Sequence, residues 1–74
     1  MARSVHSPQY RAFLVKLRQA REQAGLTQVE VAQALDKPQS YVSKCESGER
    51  RVDVVELQAF AVLYSRPIDS FLPE

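Results

Sequence analysis

The sequence predicts an all-α fold, and three observations predict it. Apolar residues recur three and four positions apart along most of the chain. Two segments, Thr27–Glu30 and Asp53–Glu56, carry the T/D-x-x-E signature of a capped helix start. No stretch alternates apolar and polar residues between turn signals, as a half-buried strand would. At 74 residues the chain allows one domain, which buries only roughly 60% of the surface its unfolded form exposes. A content of 45% hydrophobic and 26% charged residues belongs to a globular chain rather than a disordered one.

Residues 1–7 show no periodicity and read as a flexible N-terminal arm; residues 8–74 form the domain. Ser7-Pro8 fits an N-cap followed by proline at the first helical position. Tyr10, Phe13, Leu14, Leu17, Arg21 and Ala24 then keep to one helical face, and Gly25 is a C-terminal stop, so the first helix covers about 8–24. Thr27 and Glu30 open the second helix, about 28–35, with Leu26 and Val31 in the two positions of a hydrophobic staple. Asp36-Lys37-Pro38 ends it. The third helix runs about 38–47 and stops at Gly48. Asp53 with Glu56, and Val52 with Leu57, repeat the box and the staple for a fourth helix, about 54–64. Pro67 forces a break, and Ile68, Phe71 and Leu72 suggest a fifth, short helix.

Net charge is only +1, so bulk charge does not announce a polyanion-binding protein. Distribution matters more. Seven of the ten Lys/Arg precede residue 50, while Asp53, Glu56, Asp69 and Glu74 make the last third acidic, so one side of the molecule can be basic. Cys45 is the single cysteine, and no apolar run approaches a membrane span. A cytoplasmic protein is the expectation. Catalysis finds no support: His6 lies in the arm, and one Cys with one His makes no metal site. No cofactor is expected.

The spacing that carries function lies between the second and third helices. Two or three residues join them, so they turn sharply, and Ala32 supplies the small residue needed where the helices cross. Asp36 can adopt the positive φ that such a turn requires. Val31 and Leu35 before the turn, and Val42 and Cys45 after it, form an apolar seam. This helix-turn-helix pattern presents the outer face of the third helix to a DNA major groove. That face carries Gln39, Ser40, Ser43 and Lys44, whose donors and acceptors suit base edges: Gln pairs bidentately with adenine, Lys reaches guanine O6 and N7. Gln28 at the start of the second helix, with Tyr41, Arg50 and Arg51, are the phosphate-contacting candidates.

The stretch "LTQVEVAQALDKPQSYVSKCESGERRVDVVEL", residues 26–57, resembles the Cro/lambda-repressor-type helix-turn-helix family, the xenobiotic-response-element regulators of bacteria and phages. Its most specific pieces are "LTQ" at 26–28, Ala32 and "QSYVSKCESG" at 39–48. The resemblance implies a compact five-helix lambda-repressor-like domain and a transcriptional regulator, in most cases a repressor, that binds a palindromic operator as a homodimer. It implies a phosphate-contacting role for Gln28, base-contacting roles for Gln39, Ser40 and Lys44, and an internal salt bridge between Arg21 and Glu46. Asp36 and Ser65 depart from the family, standing where glycines are frequent. The apolar segment around Ile68, Phe71 and Leu72 is the candidate dimer interface, since exposed apolar residues of a small domain need cover. The competing reading is an antitoxin-like module that uses the same fold to hold a protein partner.

Overall fold

The computed structural model describes residues 6–73; residues 1–5 of the predicted arm and Glu74 lie outside the described residues. The element order is α1 (Pro8–Gln23), α2 (Gln28–Leu35), α3 (Gln39–Ser47), α4 (Val54–Leu63) and one turn of 3-10 helix (Ile68–Phe71). The described residues therefore hold four α-helices, not five. The last element is a single 3-10 turn of four residues. Its bonds are short-range ones, Ser70 N to Pro67 O at 3.0 Å and Leu72 N to Asp69 O at 3.2 Å.

Each α-helix begins where its local chemistry starts it. Ser7 Oγ accepts from Tyr10 N at 3.1 Å and Pro8 takes the first helical position. Both capping boxes are closed. Glu30 N donates to Thr27 Oγ1 and Thr27 N to Glu30 Oε1, at 3.1 and 2.9 Å. The Asp53–Glu56 box repeats this at 2.7 and 3.0 Å. Only α3 lacks such a cap: Pro38 precedes it and offers no side-chain acceptor, so the helix starts one residue later than its periodicity predicts.

Three helix ends close in the same way. Leu26 N, Lys37 N and Arg66 N reach back to the carbonyls of Arg21, Ala32 and Ala61, while the residue before each donor bonds one turn back. This double bond requires a left-handed residue just past the helix. Gly25 takes it with φ 75°, but Asp36 and Ser65 take it with φ 57° and 56°, so the two residues standing where the family favours glycine adopt glycine's conformation.

The core draws on every element. Leu17, Val31, Val42, Cys45 and Phe60 are fully buried, joined by Phe13, Ala20, Ala32, Leu57, Ala61, Tyr64 and Phe71. Full burial of a side chain such as Leu17 or Phe60 stabilises the fold by about 1.5–3 kcal/mol. Ala32 of α2 is 3% exposed, so a larger side chain there would overpack the core beneath the helix-turn-helix. Among the described residues, no helix is long and apolar enough to cross a membrane.

Candidate nucleic-acid interface

The short α2–α3 turn and the buried seam of Val31, Val42 and Cys45 fix which way α3 faces. Successive side chains on a helix rotate by about 100°. With Val42 and Cys45 inward, the opposite arc carries Gln39, Ser40, Ser43, Lys44 and Ser47, all exposed. Tyr41 lies at one edge of this arc and Glu46 at the other, both half-buried. The four predicted base-contacting residues are thus brought together on one surface. Ser47, which the sequence reading left out, shares the arc, although its hydroxyl donates to the Lys44 carbonyl at 3.2 Å.

At the Glu46 edge a chain of side chains links three helices. Arg21 of α1 pairs with Glu46 through Nε to Oε2 at 2.6 Å and Nη2 to Oε1 at 3.1 Å. A third donor of the guanidinium, Nη1, meets the Leu26 carbonyl at 2.9 Å. Burial raises the cost of losing that charge partner, and the Glu46 carboxylate holds the Arg21 pKa above its usual value. Gln28 Nε2 donates to Glu46 Oε1 at 3.0 Å, and Gln28 Oε1 accepts from Gln39 Nε2 at 3.3 Å. Gln28 and Gln39 are therefore adjacent, and the first is held by a carboxylate that is itself held by Arg21. A glutamine so held keeps its orientation at small entropic cost, which is what a side chain meeting a ligand requires.

At the Tyr41 edge the geometry is cationic. Lys37 Nζ lies 5.2 Å and the Arg50 guanidinium 5.0 Å from the centre of the Tyr41 ring, which stacks at 6.3 Å on Phe60. Burial pushes the Tyr41 hydroxyl up to about 12, so it stays a donor at neutral pH. Arg50 is not free: it pairs with Glu56 at 2.7 and 2.8 Å and bonds the Arg51 carbonyl at 3.0 Å. Arg50 in turn holds the Glu56 carboxyl below its usual range. Arg51 turns the other way, with its guanidinium 4.6 Å from the centre of the Tyr10 ring. The two adjacent arginines thus serve different neighbourhoods.

The loop carrying both arginines has supports that the sequence reading missed. Tyr10 Oη accepts from Val52 N at 3.0 Å, and the His6 ring, 4.7 Å from Tyr10, donates through Nε2 to the Gly48 carbonyl at the end of α3. Gly48 is left-handed at φ 86°, which favours glycine, and a Cβ there would meet His6 Nε2 at 2.7 Å and displace the ring. Periodicity assigns Tyr10 to the inner face of α1 and says nothing of its hydroxyl. His6 precedes any periodic segment, so no pattern could have drawn attention to it.

Of the residues predicted at a dimer interface, Phe71 is 1% exposed and belongs to the core, whereas Ile68 and Leu72 are exposed. The larger outward apolar surface is on α4, where Val55 and Val62 are 72% and 73% exposed.

A family model described as a helix-turn-helix domain matches residues 12–70. Among solved structures, the chain is similar to an XRE-family like protein from Pseudomonas syringae pv. tomato str. DC3000, at 43% sequence identity and a TM-score of 0.80. That match covers 85% of this chain and 77% of the other. No functionally curated protein matches it.

Proposed function

This chain belongs to the XRE-type helix-turn-helix family of DNA-binding regulators, and on that premise we propose that it is a sequence-specific transcriptional repressor reading the major groove with α3 as a two-fold dimer. Gln39, Ser40, Ser43 and Lys44 meet base edges. Gln28, Tyr41, Arg50 and Arg51 meet phosphates and set the register without reading sequence. One observation carries this reading. The exposed arc of α3 bears hydrogen-bonding groups at every turn, while its opposite arc is fully buried in Val42 and Cys45, so α3 is rigidly seated and outward-facing. A regulator of this kind works in the cytoplasm, on the chromosome or a resident replicon.

Dimerisation is supported by the outward face of α4. Val55, Ala59 and Val62 are exposed at helical spacing, Val54 is exposed next to them, and Ile68 and Leu72 are exposed in the segment after α4. A surface of this kind is costly to leave in water and suits a second copy. The two recognition helices would then reach half-sites roughly 34 Å apart on a palindromic operator. The same face is what favours the second reading, a module that holds a different protein in the manner of an antitoxin.

Selection of binding sites from a random duplex library at about 0.1 M salt, where long-range attraction is moderately screened, separates these readings. Enrichment of a palindrome with half-sites about one turn apart is expected. A well-folded protein that enriches no motif would overturn the proposal and direct attention to a partner bound through α4.

A further inference from the structure

The two edges of the recognition arc are built differently. The Gln39–Glu46 edge ends in Gln28, a neutral side chain held by Glu46. The Tyr41 edge gathers two cations on one aromatic ring, Lys37 from the α2–α3 turn and Arg50 from the loop after α3. A helix lying in the major groove has one phosphate backbone along each of its edges. The edge opposite Gln28 therefore faces a backbone of its own.

Arg50 is committed to Glu56, with two bonds that offset its charge. Lys37 is exposed and makes no ion pair with any described residue. Its contact with the Tyr41 ring aims the ammonium without neutralising it. Lys37 and Arg50 share one ring, and Arg50 has Glu56 as its ion-pair partner, so the Lys37 ammonium keeps its charge unpaired at this edge. Charge without an ion-pair partner, held over an aromatic ring on the edge of the recognition arc, fits a phosphodiester.

We propose that Lys37 is a phosphate-binding residue that, together with the Tyr41 hydroxyl and Arg50, clamps the DNA backbone opposite the one met by Gln28. This rests on the reading of α3 as a recognition helix. Lys37 supplies the net charge of the clamp, Tyr41 aims it, and the Arg50–Glu56 pair fixes the far side. Because Lys37 sits on the turn itself, the clamp also ties the α2–α3 geometry to the backbone and sets how α3 is pitched in the groove.

The test measures duplex affinity against salt from about 50 to 200 mM for the full chain and its Lys37→Gln, Lys37→Arg and Arg66→Gln variants, on a selected operator and a shuffled duplex. Lys37→Gln is expected to shallow the slope of log K against log salt by about 0.9, the release associated with one phosphate contact. It should weaken both duplexes by the same factor. Lys37→Arg should keep the slope, and Arg66→Gln, beyond the far end of α4, should leave it unchanged. An unaltered slope in Lys37→Gln, or a loss confined to the operator, overturns the assignment while leaving the regulator reading standing. A wild-type chain that binds neither duplex removes both. Thermal melting of Lys37→Gln, expected to fall by no more than a few degrees because the exposed side chain gives up only its contact with the Tyr41 ring, separates loss of contact from loss of fold.

Discussion

Arg21 and Glu46, twenty-five positions apart in sequence, meet through two parallel hydrogen bonds with side chains only 12% and 5% exposed. The pair ties the C-terminal end of α1 to the last turn of α3. A buried pair of this kind need not outperform an apolar substitute, but removing one partner leaves the other charged and desolvated. Arg21→Ala and Glu46→Ala are each expected to cost about 3 kcal/mol in urea unfolding. The double variant should cost clearly less than the sum of the two, the mark of a coupled pair. Additive losses would mean that the residues act separately.

Behind that pair lies the Tyr64 hydroxyl, buried and without a hydrogen-bond partner among the described residues. Burial raises its pKa, and the Glu46 charge adds to the effect. A buried hydroxyl with nothing to bond gives up its water contacts for no return. Tyr64→Phe keeps the ring that packs at 5.9 Å on Phe60 and removes only that oxygen. It is expected to leave stability unchanged or to raise it by up to about 1 kcal/mol. A loss beyond that would reveal a partner for the oxygen in solution.

Tyr41, Tyr64 and Cys45 are all held protonated by burial, with Tyr41 pushed from 10.0 to about 12. The sign follows from linkage. In each case the unfolded chain releases its proton at a lower pH than the folded one, so the stabilisation is complete below the unfolded values. It is lost as pH rises, beginning near 9 for the thiol and between 10 and about 12 for Tyr41. Urea midpoints measured at pH 8, 10 and 11 should fall steadily over the last two. Tyr41→Phe should flatten part of that fall, and an unchanged dependence would deny Tyr41 its share.

Most of the fold was legible because its helix starts are written in local chemistry. Thr27 with Glu30, Asp53 with Glu56, and Ser7 with Tyr10 form their bonds within four residues, so sequence order alone places them. The fifth element was not, since Ile68, Phe71 and Leu72 show helical spacing and spacing cannot tell one 3-10 turn from an α-helix. The exposed arc of α3 was legible from its polar residues. Its supports were not: the Tyr10 hydroxyl on Val52, the His6 ring on Gly48 and the Lys37 ammonium over Tyr41 join distant or irregular positions that no period connects. Phe71 shows the same limit. An apolar residue near the end of a chain reads alike whether it closes the core or awaits a partner.

Two helix ends adopt a glycine conformation without glycine. Ser65 at φ 56° has no side-chain reason to tolerate the left-handed region, and Asp36 at φ 57° tolerates it only somewhat better. Relief of that strain is partly cancelled by the greater freedom glycine confers on the unfolded chain. Ser65→Gly is expected to gain about 0.5 kcal/mol, or roughly 2–4 °C in midpoint for a domain of this size. Asp36→Gly should gain less. A loss at Ser65 would show that its side chain makes a contact in solution that offsets the strain.

Lys44 and Arg51 both carry a positive charge near the recognition arc, yet their surroundings separate them. Lys44 projects from the exposed arc of α3, beside Ser40 and Ser43, where a side chain can reach a base edge. Arg51 lies over Tyr10 on the far side of the loop, off that arc. Lys44→Ala is therefore expected to relax preference at particular base pairs, by about 1–3 kcal/mol of discrimination at each. Arg51→Ala should weaken operator and shuffled duplexes equally and shallow the salt dependence by about one unit. Competition of single-base operator variants against each protein distinguishes the two. An equal loss on every sequence for both would move Lys44 from the bases to the backbone, and leave Gln39, held through Gln28 and Glu46, as the best-oriented base reader on α3.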